Sequence, residues 1–312
     1  MTEHIGTAVE VLPGNATLSP EWHEARRHGI SASDVAAVLG LSPWESPYSL
    51  WHRKAGTLGA KDDNPSMRWG RRLEDAIADE FAERHPEFDV ATVGLIAHSD
   101  RPWQLATPDR LLYDGSTLVS CLEVKTAGDL GEWGGDGSAD IPVYYRCQVL
   151  WQMDVLGLTE ARVALLASGR MYREFIVPYD PADVTLLRDA ALAFLDSIAE
   201  GAPPDVDAMS ATTAALKALH PDLEDTEVIV PDDLADEYEA AREAHKAAED
   251  RRAEVENRLR ELLGNARYAK RVDGRKVATR SVYDVAERVQ TVRAHTVSKL
   301  LAPRAPKTKD IA

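Results

Sequence analysis

The segment from Trp103 to Thr126 constrains this chain most. WQLAT (103–107) reads as a strand that runs into Pro108-Asp109, and LLY (111–113) reads as a second strand. Asp114-Gly115 is a strong hairpin turn, after which TLVSCLEVKT (117–126) returns as a third strand. Side chains alternate along a strand, so Val119, Cys121, Glu123 and Lys125 are expected on one face. Leu118, Leu122 and Val124 are expected on the other. Asp109 at a strand end, with Glu123 and Lys125 on the strand that folds back, can then converge within a few ångströms.

Two carboxylates and an ammonium suit phosphodiester hydrolysis. Hard divalent ions prefer carboxylate and carbonyl oxygens, and they activate water and polarise phosphorus. Asp109 and Glu123 are candidate ligands, the Val124 carbonyl a further one, and Lys125 a candidate for orienting water or stabilising the transition state. An E-x-K triplet alone is common, and its ordinary fate is a solvated Glu–Lys pair on an edge strand. The preceding Asp and the tight turn make this one more specific.

The flanking segments read as follows. Residues 1–20 lack periodicity and read as a flexible arm. SASDVAAVLG (31–40) reads as a short helix with a Ser31/Asp34 capping box and Gly40 as its stop. SPYSLWHRKAG (46–56) repeats the pattern. A longer helix over 67–84 carries the stripe Leu73, Ala76, Ile77, Phe81, with Glu74 at its edge. Residues 127–140 read as a Gly- and Asp-rich loop. PVYYRCQVLWQMDVLG (142–157) reads as a helix with Tyr145, Gln148 and Gln152 along one side. Residues 161–169 and 171–178 read as a hairpin, and 181–200 as an amphipathic helix. GAPPDVD (201–207) reads as a boundary. A long helix over 232–263 and two short strands within 268–283, joined at Asp273-Gly274, follow.

This order predicts an α+β (mixed α/β) fold with a central mixed sheet flanked by helices. It divides into an arm (1–20), a core (21–205), a C-terminal helical extension with a short hairpin (206–303) and a disordered basic tail (304–312). The regular β-α alternation and glycine fingerprint of a dinucleotide fold are missing. No apolar run approaches the roughly 18 residues that span a membrane. Two cysteines make neither a disulfide framework nor an iron–sulfur site. The net charge of −16 argues against a protein that coats nucleic acid by bulk charge, though a local basic groove or bound metal can still attract DNA. A cytoplasmic protein is expected.

Together these segments resemble the YqaJ-like viral recombinases. That family is a phage and prophage branch of the lambda-exonuclease group, within the restriction-endonuclease-like nucleases. The resemblance runs through most of 21–200: WHEARRHGISASDVAAVLGLSPWESPYSLW, WGRRLEDAIADEF, ATPDR, LEVKT and YYRCQVLWQMDVLG, in the family's order. It implies a restriction-endonuclease-like core. It also implies Asp109, Glu123 and Glu74 as metal-linked carboxylates, Lys125 as the catalytic lysine, and Tyr145 and Gln148 beside the site. Arg26 and Ser33 match the part that holds a terminal 5′-phosphate. Arginine forks onto phosphate, and Ser31 to Ser33 fall at an expected helix N-terminus. Glu74 and Arg26 also have a plain reading as surface side chains, and the serines as helix caps.

The resemblance implies an exodeoxyribonuclease that resects duplex DNA from 5′ ends with two Mg²⁺ ions, Mn²⁺ being the other ion that oxygen ligands suit. The 3′ overhang would pass to a single-strand annealing protein, and the enzyme would form a ring-shaped homo-oligomer such as a trimer. A bacterial host cell and a phage or prophage origin are implied. Two other readings stand beside it: an endonuclease or nickase on the same fold, and a DNA-binding assembly protein with an idle site. Lys270, Arg271, Arg275, Lys276 and Arg280 form a basic cluster that suits either a DNA backbone or a solvated strand face.

Overall fold

The computed structural model describes residues 4–61 and 63–286. The tail expected at 304–312, and the extension from 287 to 303, lie outside the described residues. The chain divides into two compact units, one through Pro221 and one from Asp222 onward.

In the first unit the strands are β1 (His4–Ile5), β2 (Ala8–Leu12), β3 (Ile30–Ser31), β4 (Asp89–Ala91) and β5 (Leu95–His98). They continue with β6 (Arg101–Ala106), β7 (Arg110–Asp114), β8 (Thr117–Ala127), β9 (Glu160–Ala167) and β10 (Met171–Pro178). Its helices are α1 (Pro20–Arg27), α2 (Val35–Val38), α3 (Pro47–Lys54) and α4 (Pro65–Arg84). α5 (Val143–Leu156), α6 (Pro181–Glu200) and α7 (Ser210–Leu219) complete them. The mixed α/β class is as expected, but the strands form two sheets rather than one. The first has the order β1-β2-β5-β6-β3 and the second β10-β9-β8-β7-β4. In the second, β8 and β9 are parallel and the other pairs antiparallel. Parallel neighbours need a crossover, and α5 supplies it.

α5 is apolar almost all round, which is the signature of a helix buried on every side. Val149, Leu150, Trp151 and Met153 share a core with Cys121, Val163 and Leu165 of the second sheet and with Ile96 and Ala106 of the first. Gly157 ends it in a left-handed turn (φ +72°) that a side chain rarely adopts. On the opposite face of the second sheet, Ile77 and Phe81 of α4 pack on Leu112, Leu122, Val124 and Ala164. Burying Phe81 fully is worth about 2–3 kcal/mol.

Four sequence expectations change here. Residues 4–12 are not a loose arm but the edge pair β1–β2, too short to show periodicity. Between them, Thr7 donates its N–H to the Leu156 carbonyl (3.2 Å) and its hydroxyl to the Val155 carbonyl (2.8 Å), clamping the pair to the end of α5. The helix expected over 31–40 shrinks to α2, because Ser31 belongs to β3 beside β6. A bulge shifts the β7–β8 register, so Leu112 faces Ser120 and Tyr113 faces Leu118. Val119 and Leu118 therefore exchange faces: Val119 packs with Leu122 and Leu118 with the Cys121 core. Finally, the first unit runs past the boundary expected at GAPPDVD (201–207). α7 returns onto α3, where the buried Thr212 hydroxyl donates to Ser46 Oγ (2.7 Å).

The second unit contains α8 (Asp232–Leu263) and the antiparallel hairpin β11 (Tyr268–Lys270) with β12 (Lys276–Thr279). No residue of α8 is buried.

Candidate active site

Glu123 sits mid-strand on β8 with a side chain only 3% exposed. Beyond the bulge the alternation is regular, so Glu123 and Lys125 share a face, and that face meets α5. Gln148 and Gln152, one turn apart on α5, reach down to it. Glu123 Oε1 accepts from Gln148 Nε2 and from Lys125 Nζ. Its Oε2 accepts from Gln152 Nε2 at 2.7 Å. A buried carboxylate costs several kcal/mol unless it is paired and hydrogen-bonded, and this one is both. Gln152 is a member that the sequence reading left out of the site, although its i+4 spacing from Gln148 was the signal.

Asp109 lies in the link between β6 and β7. β7 stops pairing at Arg110–Leu122, which leaves the next β8 amide on that side without a strand partner. Asp109 Oδ2 accepts from that amide, Val124 N–H, at 2.7 Å. In a strand the N–H and C=O of one residue point the same way, so the Val124 carbonyl opens toward Asp109 as well. Burial, and then the charge of Glu123, push the Asp109 carboxyl well above the usual carboxylate range, against the opposing pull of Lys125. Burial alone would lower the Lys125 ammonium, but Glu123 and Asp109 outweigh it and hold it above the usual lysine value. The ammonium lies 4.8 Å from the ring centre of Tyr145. Burial also raises the Tyr145 phenol.

Glu74 stands at the edge of this group, where its charge adds to the push on the Asp109 carboxyl. Arg110 Nη1 holds Glu74 at 3.0 Å, and the same buried guanidinium contacts Asp75 Oδ1 (2.5 Å) and the Asp109 carbonyl (2.6 Å). Arg110 was missed in the sequence, where a strand arginine beside an aspartate has no distinguishing spacing. Among the described residues no group of three or more His, Cys, Asp or Glu side chains is arranged to hold a metal. Two crowded carboxylates and a carbonyl are nonetheless a hard oxygen set, and burial followed by the Glu123 charge raises the Asp109 carboxyl, a crowding that a divalent cation would relieve.

Arg26 occupies a second centre. Its Nη2 donates to Ser31 Oγ (2.5 Å), Ser33 Oγ (2.7 Å) and Asp34 Oδ1 (3.0 Å). The guanidinium lies 4.3 Å from the Trp22 ring centre. The Ser31 N–H donates to Asp34 Oδ2 (3.1 Å), the reach-back that the Ser31/Asp34 capping box predicts, although Ser31 lies in a strand and α2 begins four residues later. Lys54, buried on α3, grips Asp34 Oδ2 (2.6 Å) and the carbonyls of Arg26 and Gly29. Burial would raise Asp34, but Lys54 and Arg26 hold it well below the usual carboxylate range.

The two centres meet. A hollow of about 150 Å³ is lined by Trp22, Arg26, Ser31, Ser33, Thr107 and Gln148. On the other side of Arg26 a larger cleft of about 720 Å³ extends toward Trp44, Arg53 and Lys61.

With this geometry in place, the chain can be set beside known proteins. Residues 21–162 match the YqaJ-like viral recombinase domain. Over 268 residues the chain is 27% identical to the uncharacterized protein YqaJ of Bacillus subtilis strain 168, covering 83% of each. Among solved structures, an alkaline exonuclease from Laribacter hongkongensis is similar with a TM-score of 0.49 and 22% identity, over 59% of this chain and 94% of that one. A phage-related exonuclease from Haemophilus somnus 129PT is similar with a TM-score of 0.41 and 10% identity, over 55% of this chain and 96% of that one. The span that matches the YqaJ-like viral recombinase domain contains Arg26, Asp109, Glu123, Lys125 and Gln148, and all of them lie in one compact unit.

Proposed function

We propose that this chain is a metal-dependent exodeoxyribonuclease that degrades one strand of duplex DNA from its 5′ end and leaves a 3′ overhang. One observation carries the reading: Gln148 touches the Glu123 carboxylate and also lines the hollow that holds Arg26, Ser31 and Ser33. A site for bond cleavage and a site suited to a terminal phosphate are thus one side chain apart.

Asp109, Glu123 and the Val124 carbonyl would hold the cation, with Glu74 at the edge on Arg110. Bound Mg²⁺ or Mn²⁺ supplies Lewis acidity and lowers the pKa of attacking water. The chain's own groups do the rest. Gln148 and Gln152 fix the orientation of Glu123 through its two oxygens. Lys125 keeps its proton and places a positive charge where charge develops on the scissile phosphate. Arg26 offers a planar fork to the end phosphate, and Lys54 keeps Asp34 neutralised when Arg26 turns to it.

A 3′ overhang is the substrate of a single-strand annealing protein, which makes such a protein the natural partner in a bacterial cytoplasm. A ring of copies, such as a trimer, would hold duplex DNA by closure rather than by tight contacts. Sedimentation of the full chain with and without duplex tests that assembly.

The deciding experiment compares end-labelled linear duplexes bearing 5′-phosphate or 5′-hydroxyl, and closed circles, with Mg²⁺ and with chelator. Metal-dependent loss from 5′-phosphorylated ends, with circles spared, is expected. Arg26→Ala should slow phosphorylated ends by about tenfold or more and hydroxyl ends little. Rapid cutting of circles would instead establish an endonuclease.

A further inference from the structure

Trp44 lies in the link between α2 and α3 and is 54% exposed, whereas Trp22, Trp51 and Trp151 are buried. Its backbone is not loose. The Trp44 N–H donates to Ser42 Oγ (3.2 Å), and its carbonyl accepts from Lys61 Nζ (2.9 Å). The exposed ring is therefore held in place by its own main chain.

Its neighbours are aromatic. Tyr144 meets it edge-on with ring centres 5.0 Å apart, and Tyr145 lies 5.9 Å away. Tyr145 is the ring beside Lys125 Nζ, and Trp133 backs it at 5.5 Å. Trp44 is thus the outermost ring of a wall that begins at the catalytic lysine. The same indole lines the larger cleft, together with Arg26. In a chain of net charge −16, that cleft is lined by six Lys/Arg (26, 27, 53, 54, 61, 71) against four Asp/Glu (24, 34, 45, 63).

A terminal nucleoside joins two phosphates, the end phosphate and the scissile one. If Arg26 holds the first and Lys125 faces the second, the base between them must lie beside both linings, and Trp44 is the exposed aromatic that belongs to both. We propose that Trp44 is a nucleobase-stacking site that takes the 5′-terminal base of the strand being removed. This rests on the exonuclease reading above. Stacking is tolerant of sequence because every base has a π-face. The site would accept all four bases and discriminate against a missing one.

The test uses the full chain and a duplex with 2-aminopurine as its 5′-terminal base, bound with Ca²⁺ to hold back turnover. Quenching of the terminal 2-aminopurine on binding, lost in Trp44→Leu and kept in Trp44→Phe, is expected. A label three nucleotides inward should report no difference between variants. Single-turnover removal with Mg²⁺ then compares an ordinary terminal nucleotide with an abasic one. Wild type should lose about tenfold on the abasic end, and Trp44→Leu should lose a similar factor on the ordinary end and nothing more on the abasic one. Equal loss by Trp44→Leu on both ends, or unchanged quenching in that variant, overturns the proposal. Quenching that depends on Trp44 without any strand degradation would sink the exonuclease reading alone. Degradation as fast from an abasic end as from an ordinary one would sink the stacking site alone.

Discussion

At the scale of single residues, the candidate site separates charges that stay from charges that must be handed over. Lys125 is raised above its usual value by Glu123 and Asp109, so it holds its proton through the neutral range. Lys125→Ala should lower metal-dependent degradation by about 10²–10³, the usual loss for one preorganised transition-state donor, with little effect on DNA affinity. Single-turnover rates set beside binding curves check this. Asp34 carries a different prediction. Its folded pKa is depressed, so its contribution to stability is present above the unfolded carboxylate value and is lost as pH falls below about 4. Asp34→Asn leaves the Lys54 ammonium buried without its counter-charge and should cost about 3–5 kcal/mol near neutral pH, read by urea unfolding. The same variant should show a shallower loss of stability between pH 5 and 3. Asp109, Glu123, Lys125 and Gln148 were legible in the sequence because a tight turn, strand alternation and helical spacing are local rules. Arg110, Lys54 and Trp44 were not, because what distinguishes them is a partner brought from a distant element.

At the scale of elements, β6 and the run from β7 to β10 were readable, and β1 to β5 were not. β7 to β10 are long enough to show alternation and are bounded by turn residues. β1 and β3 are two residues each, and only a long-range partner makes a strand of them. The bulge in β8 was equally invisible, since it depends on which residue of β7 lies opposite. One position reports how tightly the first sheet closes. A Cβ on Gly94 would lie 1.9 Å from the Leu12 carbonyl oxygen and 2.5 Å from the Pro13 carbonyl carbon. That contact is backbone against backbone and cannot be relieved by a rotamer. Gly94→Ala should therefore part β2 from β5 and cost roughly 2–4 kcal/mol, within the range seen for overpacked or strained sites. Thermal unfolding measures the cost, and amide exchange at residues 8–12 locates it.

At the scale of the whole molecule, stability and charge are unevenly divided. Every buried residue among those described lies at or before Ala215, so the first unit contains its own core. A chain ending at Pro221 should melt within about 3 °C of the full chain. A chain ending at 205 loses α7, exposes the Ser46 side of α3 and should melt about 4–8 °C lower, assuming a loss of roughly 2 kcal/mol. Calorimetry of the two truncations decides where the core ends. The acidic balance makes DNA affinity depend on a few local cations, so binding should weaken steeply with added salt.

The clamp between Thr7 and the end of α5 sets an order of events. Thr7 and Val155 are 148 residues apart in the chain. At about 5–20 residues per second, a ribosome makes the second of them roughly 7–30 s after the first. Through that interval β1 and β2 have emerged while the helix end that anchors them does not yet exist, and β5, the partner of β2, arrives only part-way through. A segment synthesised well before its anchor is thus among the last to find its place. Until then the AVEVL strand is an open apolar edge on a nascent chain, available to whatever neighbouring strand meets it first.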